Sequence, residues 1–408
     1  MNYNLNNIPR PEYINKAIKY IDKNLIKVFT GQRRTGKSYL LQQVKDYIER
    51  EYENSNCINI DLERMQFSSL RTATDLYSYV TDRLVEGKKN FVFIDEVQEV
   101  KEFERALRSL LNEGRVDVWC TGSNAEILSG ELADRLSGRY FEIRVHPLSY
   151  NEFIAFHHLP DVEDSLHKYL KFGGMPNLIH FPLEDEVIFD YLRTINATIL
   201  LKDIVKRHKV RNVVILEQLI RFLSDNTGSL FSANSISKFL KSQQISISPP
   251  SLTQYIQHFL DSYYLNKVNR SDLHGKRLFE ISEKYFFEDI GLRNAWVGYQ
   301  PMHINKLIEN VVYNHLDRQE YKISVGNAGD LEIDFIAEKF GQKIYVQCAY
   351  LIYDEKTRER EFRTLLKLKD NHRKFVVTMD NPSGGNIEGI EHLHLRDFLK
   401  IINPGIPV

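Results

Sequence analysis

One stretch, "LIKVFTGQRRTGKSYLL", limits what this chain can fold into more than any other. A β-rich apolar run over residues 25–29 leads into Gly31, Gln32, Arg33, Arg34, Thr35, Gly36, Lys37 and Ser38, and a helical pattern follows at once. The two glycines let the backbone between them turn its N–H groups inward. A helix starting near Lys37 aims the positive end of its dipole at the same point. Such a turn suits a phosphate chain. Lys37 is placed to reach the β- and γ-phosphates, Ser38 to hold magnesium, and the segment from Gly31 to Tyr39 to line the site. A glycine-rich turn with a surface lysine is the plain alternative, and the strand before it and the helix after it argue against that.

The alternation of strand and helix continues. Short β-rich runs at residues 57–62, 91–95, 116–120 and 140–145 are separated by helical patterns, which predicts an α/β domain with a mainly parallel sheet over residues 1–150. The run "NFVFIDEVQEV" ends in Asp95 and Glu96. A buried strand carries Asp95 to its C-terminal edge beside the phosphates, where it can hold magnesium through water, and Glu96 can polarise the attacking water as general base. Alone, the pair reads as a solvated acidic turn; beside the glycine loop it reads as part of one site. In "VWCTGSNAEIL", Ser123 can touch the γ-phosphate or the water, or cap the next helix with Asn124, and both can hold. Arg135 and Arg139 precede another strand. An arginine there can act on the γ-phosphate of a neighbouring subunit or simply pair on the surface. Arg33 and Arg34 are alternatives in cis, and Arg10 is a candidate contact for the nucleotide base.

Composition narrows the class. With 408 residues, 42% hydrophobic and 27% charged, the chain is long enough for two or three cored domains. A net charge of −1 makes no global electrostatic demand for nucleic acid or a membrane. Cys57, Cys120 and Cys348 sit far apart in apolar runs, as buried thiols in a reducing compartment do. The N-terminal "MNYNLNNIPRPEY" has no apolar core, and no stretch approaches the ~18 apolar residues of a spanning helix. A cytoplasmic protein without a membrane partner is expected.

The segments "GQRRTGKS", "FVFIDEVQ", "TGSNAEIL", "LSGRYFEIRVHPLSYNEF" and "FGGMPNLI", in that order, resemble the prokaryotic AAA-type ATPases of the archaeal-ATPase kind. "KYFFEDIGLRNAW" and "LIENVVYNHL" with "LEIDFI" resemble later blocks of that family. The resemblance runs over nearly the whole chain and is most specific in the ATPase motifs. It implies ATP and Mg2+ as ligands and a five-stranded P-loop sheet over residues 1–150. It further implies a helical lid over 151–210, a winged-helix segment over 211–300 and a small α/β restriction-endonuclease-like domain over 301–408.

Two later segments can also be read directly. "FSANSISKFLKSQQISISPPSLTQYIQHFLDSYYLNKVNR" gives a helix over 235–241, a turn, a second helix over 250–264 and a strand, with "NRSDLHGKRLFEIS" as a wing. Proline at the front of the second helix suits a first turn. Ser251, Thr253, Gln254 and Gln257 would be exposed on it, polar but without a Lys or Arg, which favours protein contact or packing over DNA contact. In "GDLEIDFIAEKFGQKIYVQCAY", Glu332 and Asp334 share one strand face, and Gln347 and Ala349 share a face of the next. Restriction-type nucleases hold magnesium there with an Asp and a Glu, and add a lysine two residues on. Here Asp334 is kept and Glu309 on the preceding helix adds a carboxylate. Gln347 stands for the charged ligand and Ala349 for the lysine. Lys343 lies about 13 Å away along the strand, too far to substitute. A nuclease fold without nuclease chemistry is expected, with Glu309, Glu332, Asp334 and Gln347 as a degenerate site.

The expectation for the whole chain is an ATPase. Lys37 and Ser38 hold nucleotide and Mg2+, Asp95 the metal, Glu96 and Ser123 the water, and Arg139 the γ-phosphate, and hydrolysis moves the later modules. DNA, RNA or an unidentified protein are candidate partners, and a homo-oligomer is required if an arginine acts in trans. A nucleotide-dependent switch with little hydrolysis and an ATP-dependent nuclease are the alternatives.

Overall fold

A computed structural model describes residues 8–125, 138–272, 283–328, 331–352, 354–381 and 386–401. Arg135 and the tip of the expected wing lie outside the described residues. The chain divides into two units, Met1–Pro147 with Asp261–Tyr263, and Leu148–Leu260 with Tyr264–Val408. Apart from those three residues, the segments expected at 151–210, 211–300 and 301–408 all fall within the second unit.

The first unit is built on strands β1 (Ile26–Thr30), β2 (Ser55–Asp61), β3 (Lys89–Asp95), β4 (Val116–Gly122) and β5 (Tyr140–Arg144). They pair in the order β2, β3, β4, β1, β5, and every pairing is parallel. β1 and β4 are buried along their whole length, which is why both read as near-continuous apolar runs. Helices α1 (Pro11–Ala17), α2 (Lys37–Glu51), α3 (Ala73–Thr81) and α4 (Phe103–Asn112) accompany them. α4 buries Phe103, Ala106, Leu107, Leu110 and Leu111, a single helical stripe, against the core that also holds Val92, Ile94 and Val118. Each such large side chain contributes about 1.5–3 kcal/mol by leaving water. A capping box between Thr72 and Asp75 starts α3. At the edge where the strands begin, the fully buried Lys27 ammonium lies 2.7 Å from Asp117.

The second unit opens with helices α5 (Tyr150–Phe156), α6 (Glu163–Phe172), α7 (Asp185–Thr198) and α8 (Val213–Asp225). Then follow β6 (Leu230–Phe231), α9 (Ala233–Ser242), α10 (Pro249–Asp261), β7 (Leu265–Asp272) and β8 (Glu283–Phe287). The first expected helix of this stretch is thus longer at both ends. The second stops at Asp261, because the chain turns through a left-handed Tyr263 (φ 53) before β7. β8 pairs with both β6 and β7, antiparallel. Ser251, Thr253, Gln254 and Gln257 are exposed on α10, as their spacing predicts.

Helices α11 (Ile290–Val297) and α12 (Ile304–Arg318) lead into β9 (Lys322–Ala328), β10 (Leu331–Lys339) and β11 (Gln342–Cys348). The unit closes with α13 (Glu355–Leu366), β12 (Arg373–Thr378), β13 (Asn386–Ile387), β14 (Ile390–His394) and α14 (Leu395–Phe398). β7 runs parallel to β9 over Arg270–Asp272, so a single nine-stranded mixed sheet crosses residue 300.

The "FGGMPN" turn after α6 has a packing reason. A Cβ on Gly173 would sit 2.4 Å from an Asp289 carboxylate oxygen, and one on Gly174 would sit 2.2 Å from the Leu148 carbonyl. Asp289 caps α11 by accepting from Leu292 N–H, and its other oxygen accepts from Gly174 N–H at 2.7 Å. No helix among the described residues is long and apolar enough to cross a membrane.

Candidate functional site

Five parallel strands end on one edge of the sheet, so the loops after β1, β3 and β4 open together. Gly31 follows β1 with φ 136, and a Cβ there would lie 2.2 Å from the Val145 carbonyl oxygen, so only glycine fits. Gly36, at φ 94, sets the entry to α2. The Lys37 ammonium donates to the carbonyls of Gly31 and Gln32, each at 2.9 Å, and Thr35 Oγ1 donates to the Gln32 carbonyl at 2.9 Å. The loop is therefore closed on itself through its own lysine. Gln32 is fully buried, and among the described residues neither polar atom of its side chain has a hydrogen-bond partner. Ser38 and Arg34 are exposed, and Tyr39 is half exposed.

The ends of β3 and β4 supply the acidic half. The Ser38 hydroxyl is hydrogen-bonded to Asp95 across the loop. Thr121 Oγ1 donates to Asp95 Oδ1 and accepts from Glu96 N–H at 2.8 Å, which fixes the two carboxylates relative to each other. Burial pushes the Asp95 carboxyl up, against the hydrogen bonds from Thr121 and Ser38. Glu96 sits in the left-handed region at φ 55, a conformation that costs a side-chain-bearing residue energy and marks an over-determined site. Its carboxylate accepts from Ser123 Oγ at 3.1 Å and from the Gln98 amide. Burial alone would raise its pKa, but the Lys37 ammonium and the Arg33 guanidinium outweigh that, and the net displacement is downward. Glu96 is therefore an anion at neutral pH. Arg33 itself lies 3.5 Å from Glu63.

Arg139 and Arg10 are both engaged away from the mouth of the glycine loop. Arg139 immediately precedes β5, and Tyr140 pairs with Ile26 at the start of β1. Its guanidinium donates to Asn112 Oδ1 at 2.7 Å, on the edge opposite the glycine loop. Four residues of strand, about 13 Å, separate it from the phosphate end, so it does not serve the site of its own chain. Arg139→Ala is expected to leave any nucleotide turnover measured in the monomer within about twofold. A tenfold loss in the monomer would return the side chain to the site. Arg10 is buried, donates to the Thr35 carbonyl at 3.1 Å and stacks on Tyr13. It braces the loop from behind instead of standing free for a base.

In the second unit, the candidate residues Glu309, Glu332, Asp334 and Gln347 do converge. Asp334 Oδ2 accepts from Cys348 N–H at 2.9 Å, and Gln347 Oε1 accepts from Asp334 N–H at 3.3 Å. Two charged groups join them that the sequence did not nominate. Lys284, on β8, places its ammonium 2.8 Å from Glu332, 3.4 Å from Glu309 and 3.4 Å from Asp334. Glu361, on α13, accepts from Gln347 Nε2 at 3.1 Å. Ala349 supplies no ammonium, and the one that reaches this cluster comes from Lys284 on another strand. Thr121, Gln98 and Glu63 were missed in the first unit. Thr121 was findable, as the last polar residue of a strand parallel to β3. Lys284 carried no local signal.

The sequence pattern of an AAA domain matches residues 23–154, and that of a domain of unknown function matches residues 163–303. An uncharacterized protein of Haemophilus influenzae is 34% identical over 403 residues, covering 96% of this chain and 98% of that protein. An uncharacterized protein of Methanocaldococcus jannaschii is 26% identical over 431 residues, covering 98% of this chain and 91% of that protein. The solved Walker-type ATPase of Pyrococcus abyssi superposes with a TM-score of 0.51 at 14% identity, over 71% of this chain and 95% of that one. The likeness is one of fold, that of a P-loop ATPase.

Proposed function

This chain belongs to the family of the Haemophilus influenzae protein and carries an AAA domain, and from that premise we propose that it binds and hydrolyses ATP with Mg2+. The observation that carries the reading is one connected chain of hydrogen bonds at the mouth of the glycine loop. It runs from Ser38 to Asp95, through Thr121 to Glu96, and on to Ser123. The residues fit the ligands. Loop amides and the Lys37 ammonium suit phosphate oxygens, and the Ser38 hydroxyl with the Asp95 carboxylate offers the hard oxygen donors that Mg2+ takes. When bound, Mg2+ supplies neutralisation of phosphate charge.

In this reading the phosphates replace the carbonyls that Lys37 now holds. Glu96 takes the proton of the attacking water, and Ser123 and Gln98 keep its carboxylate aimed. Lys37→Ala is expected to weaken ATP binding about 100-fold, the loss of two charge-assisted hydrogen bonds. Calorimetry with ATP tests it, and affinity equal to the parent's would remove the loop from nucleotide binding.

The second unit is read as the module that the nucleotide moves. Its β6–α9–α10–β7–β8 order, with Ser251, Thr253, Gln254 and Gln257 exposed on one face of α10, supports a winged-helix segment used for contact with a partner. The mixed sheet of β9 to β12 between α12 and α13 supports a restriction-endonuclease-like end. Gln347 and Ala349 argue against nuclease chemistry there.

A further inference from the structure

We propose that Lys284 is a resident cation: its ammonium occupies the place a divalent ion would take among Glu309, Glu332 and Asp334, and keeps metal out of the second unit's acidic pocket. The inference is independent of the nucleotide reading. It begins with geometry. A cavity of about 350 Å³ is lined by Asn305, Glu309, Asp334, Gln347, Arg360 and Glu361. Lys284 is 4% exposed, and its ammonium has carboxylate oxygens of three different residues within 3.4 Å.

Ligand atoms of Asp334, Gln347 and Glu361 are also taken. Asp334 Oδ1 faces Lys284 and Oδ2 accepts from a backbone amide. The Gln347 oxygen accepts from Asp334 N–H, and its amide nitrogen donates to Glu361. The second Glu361 oxygen is held by Arg360 at 2.6 Å. A divalent ion binding here must break several of these bonds at once.

The lysine also has nowhere to go. Its strand is paired on both sides, Lys284 lying opposite Val268 and Leu230, so the Cα is fixed. Turning the ammonium away would bury a charge without its partners, which is strongly unfavourable. One ammonium therefore already offsets part of the negative charge that a metal would be needed to offset.

The test is Mn2+ binding to the nucleotide-free full chain, read by electron paramagnetic resonance, with Asp95→Asn as the background so that the first unit contributes nothing. The background protein is expected to take up no Mn2+ that Asp334→Asn removes. Adding Lys284→Met, neutral and similar in length, is expected to create a site about tenfold tighter than any in the background. Adding Asp334→Asn as well should abolish it, whereas Lys284→Arg, which keeps the cation, should create none. If Lys284→Met melts early, Mn2+ should raise its melting temperature and leave that of the background unchanged. Asp334-dependent Mn2+ binding with Lys284 in place would overturn the proposal. So would a Lys284→Met protein that Mn2+ neither binds nor stabilises.

Discussion

Glu96→Gln is expected to keep ATP bound and to turn it over about 10²–10⁴ times more slowly, the range for loss of a positioned general base. The amide is isosteric, so the left-handed turn at position 96 and the hydrogen bond from Glu96 N–H to Thr121 should survive. What is lost is the anion. Lys37 and Arg33 hold the Glu96 pKa below its ordinary value, against burial. Its ionised form is therefore present above the usual carboxylate range and is lost only as the pH falls through the depressed value. Between pH 6 and 8 the parent's turnover should not follow Glu96 at all. Single-turnover hydrolysis beside calorimetric ATP binding separates the two effects. Parent-like turnover in this variant would take the base role away from Glu96.

Asp289→Ala should destabilise the second unit by roughly 3–6 kcal/mol, because it orphans three buried backbone N–H groups at about 1–2 kcal/mol each. Those groups belong to Gly174, Leu292 and Gly291. The corner cannot slacken to compensate. A Cβ at Gly291 would lie 1.9 Å from the Phe172 carbonyl oxygen, so α6 and α11 are already at their closest approach. Against a total stability of about 5–15 kcal/mol, the loss is large. Urea denaturation of the full chain should show an early transition in the variant and not in the parent. The carboxyl also has a pH signature. Burial, opposed by the three amides, pushes it up to about 6. A raised acid stabilises most below its unfolded value, near 3.9, and that contribution is lost as the pH rises through 6. The parent's second unit should gain stability on mild acidification from pH 6 to 4, and Asp289→Asn should lose that gain. An unshifted urea midpoint for Asp289→Ala would mean the corner is held by packing alone.

Much of the first unit was legible because its signals are local. The glycine loop, the apolar run before it and the acidic pair at the end of β3 each lie within a few residues of chain. Their meeting on one edge follows from parallel strands. The same rule places Arg139 away from the loop of its own chain. A residue that precedes a parallel strand must lie opposite a loop that follows its neighbour. What stayed hidden was pairing at long separation. Nothing around Lys284 distinguishes it from any other strand lysine until β8 is set against α12 and β10. The two glycines after α6 read only as a break in a helical pattern. Their partner, Asp289, lies 115 residues from Gly174. Arg10, a candidate contact for the base, has its position set by the Thr35 carbonyl, 25 residues away.

The parallel contact between β7 and β9 has a mechanical consequence. Hydrogen-bonded strands resist sliding and tearing in their plane far better than two lobes joined by a linker. A torque delivered to α10 would therefore be felt at the acidic pocket as rotation of one stiff plate, with no hinge at residue 300 to absorb it. Parting the polypeptide into two pieces at that residue would break the β7–β9 pairing and bare an unpaired edge on each piece, inviting aggregation.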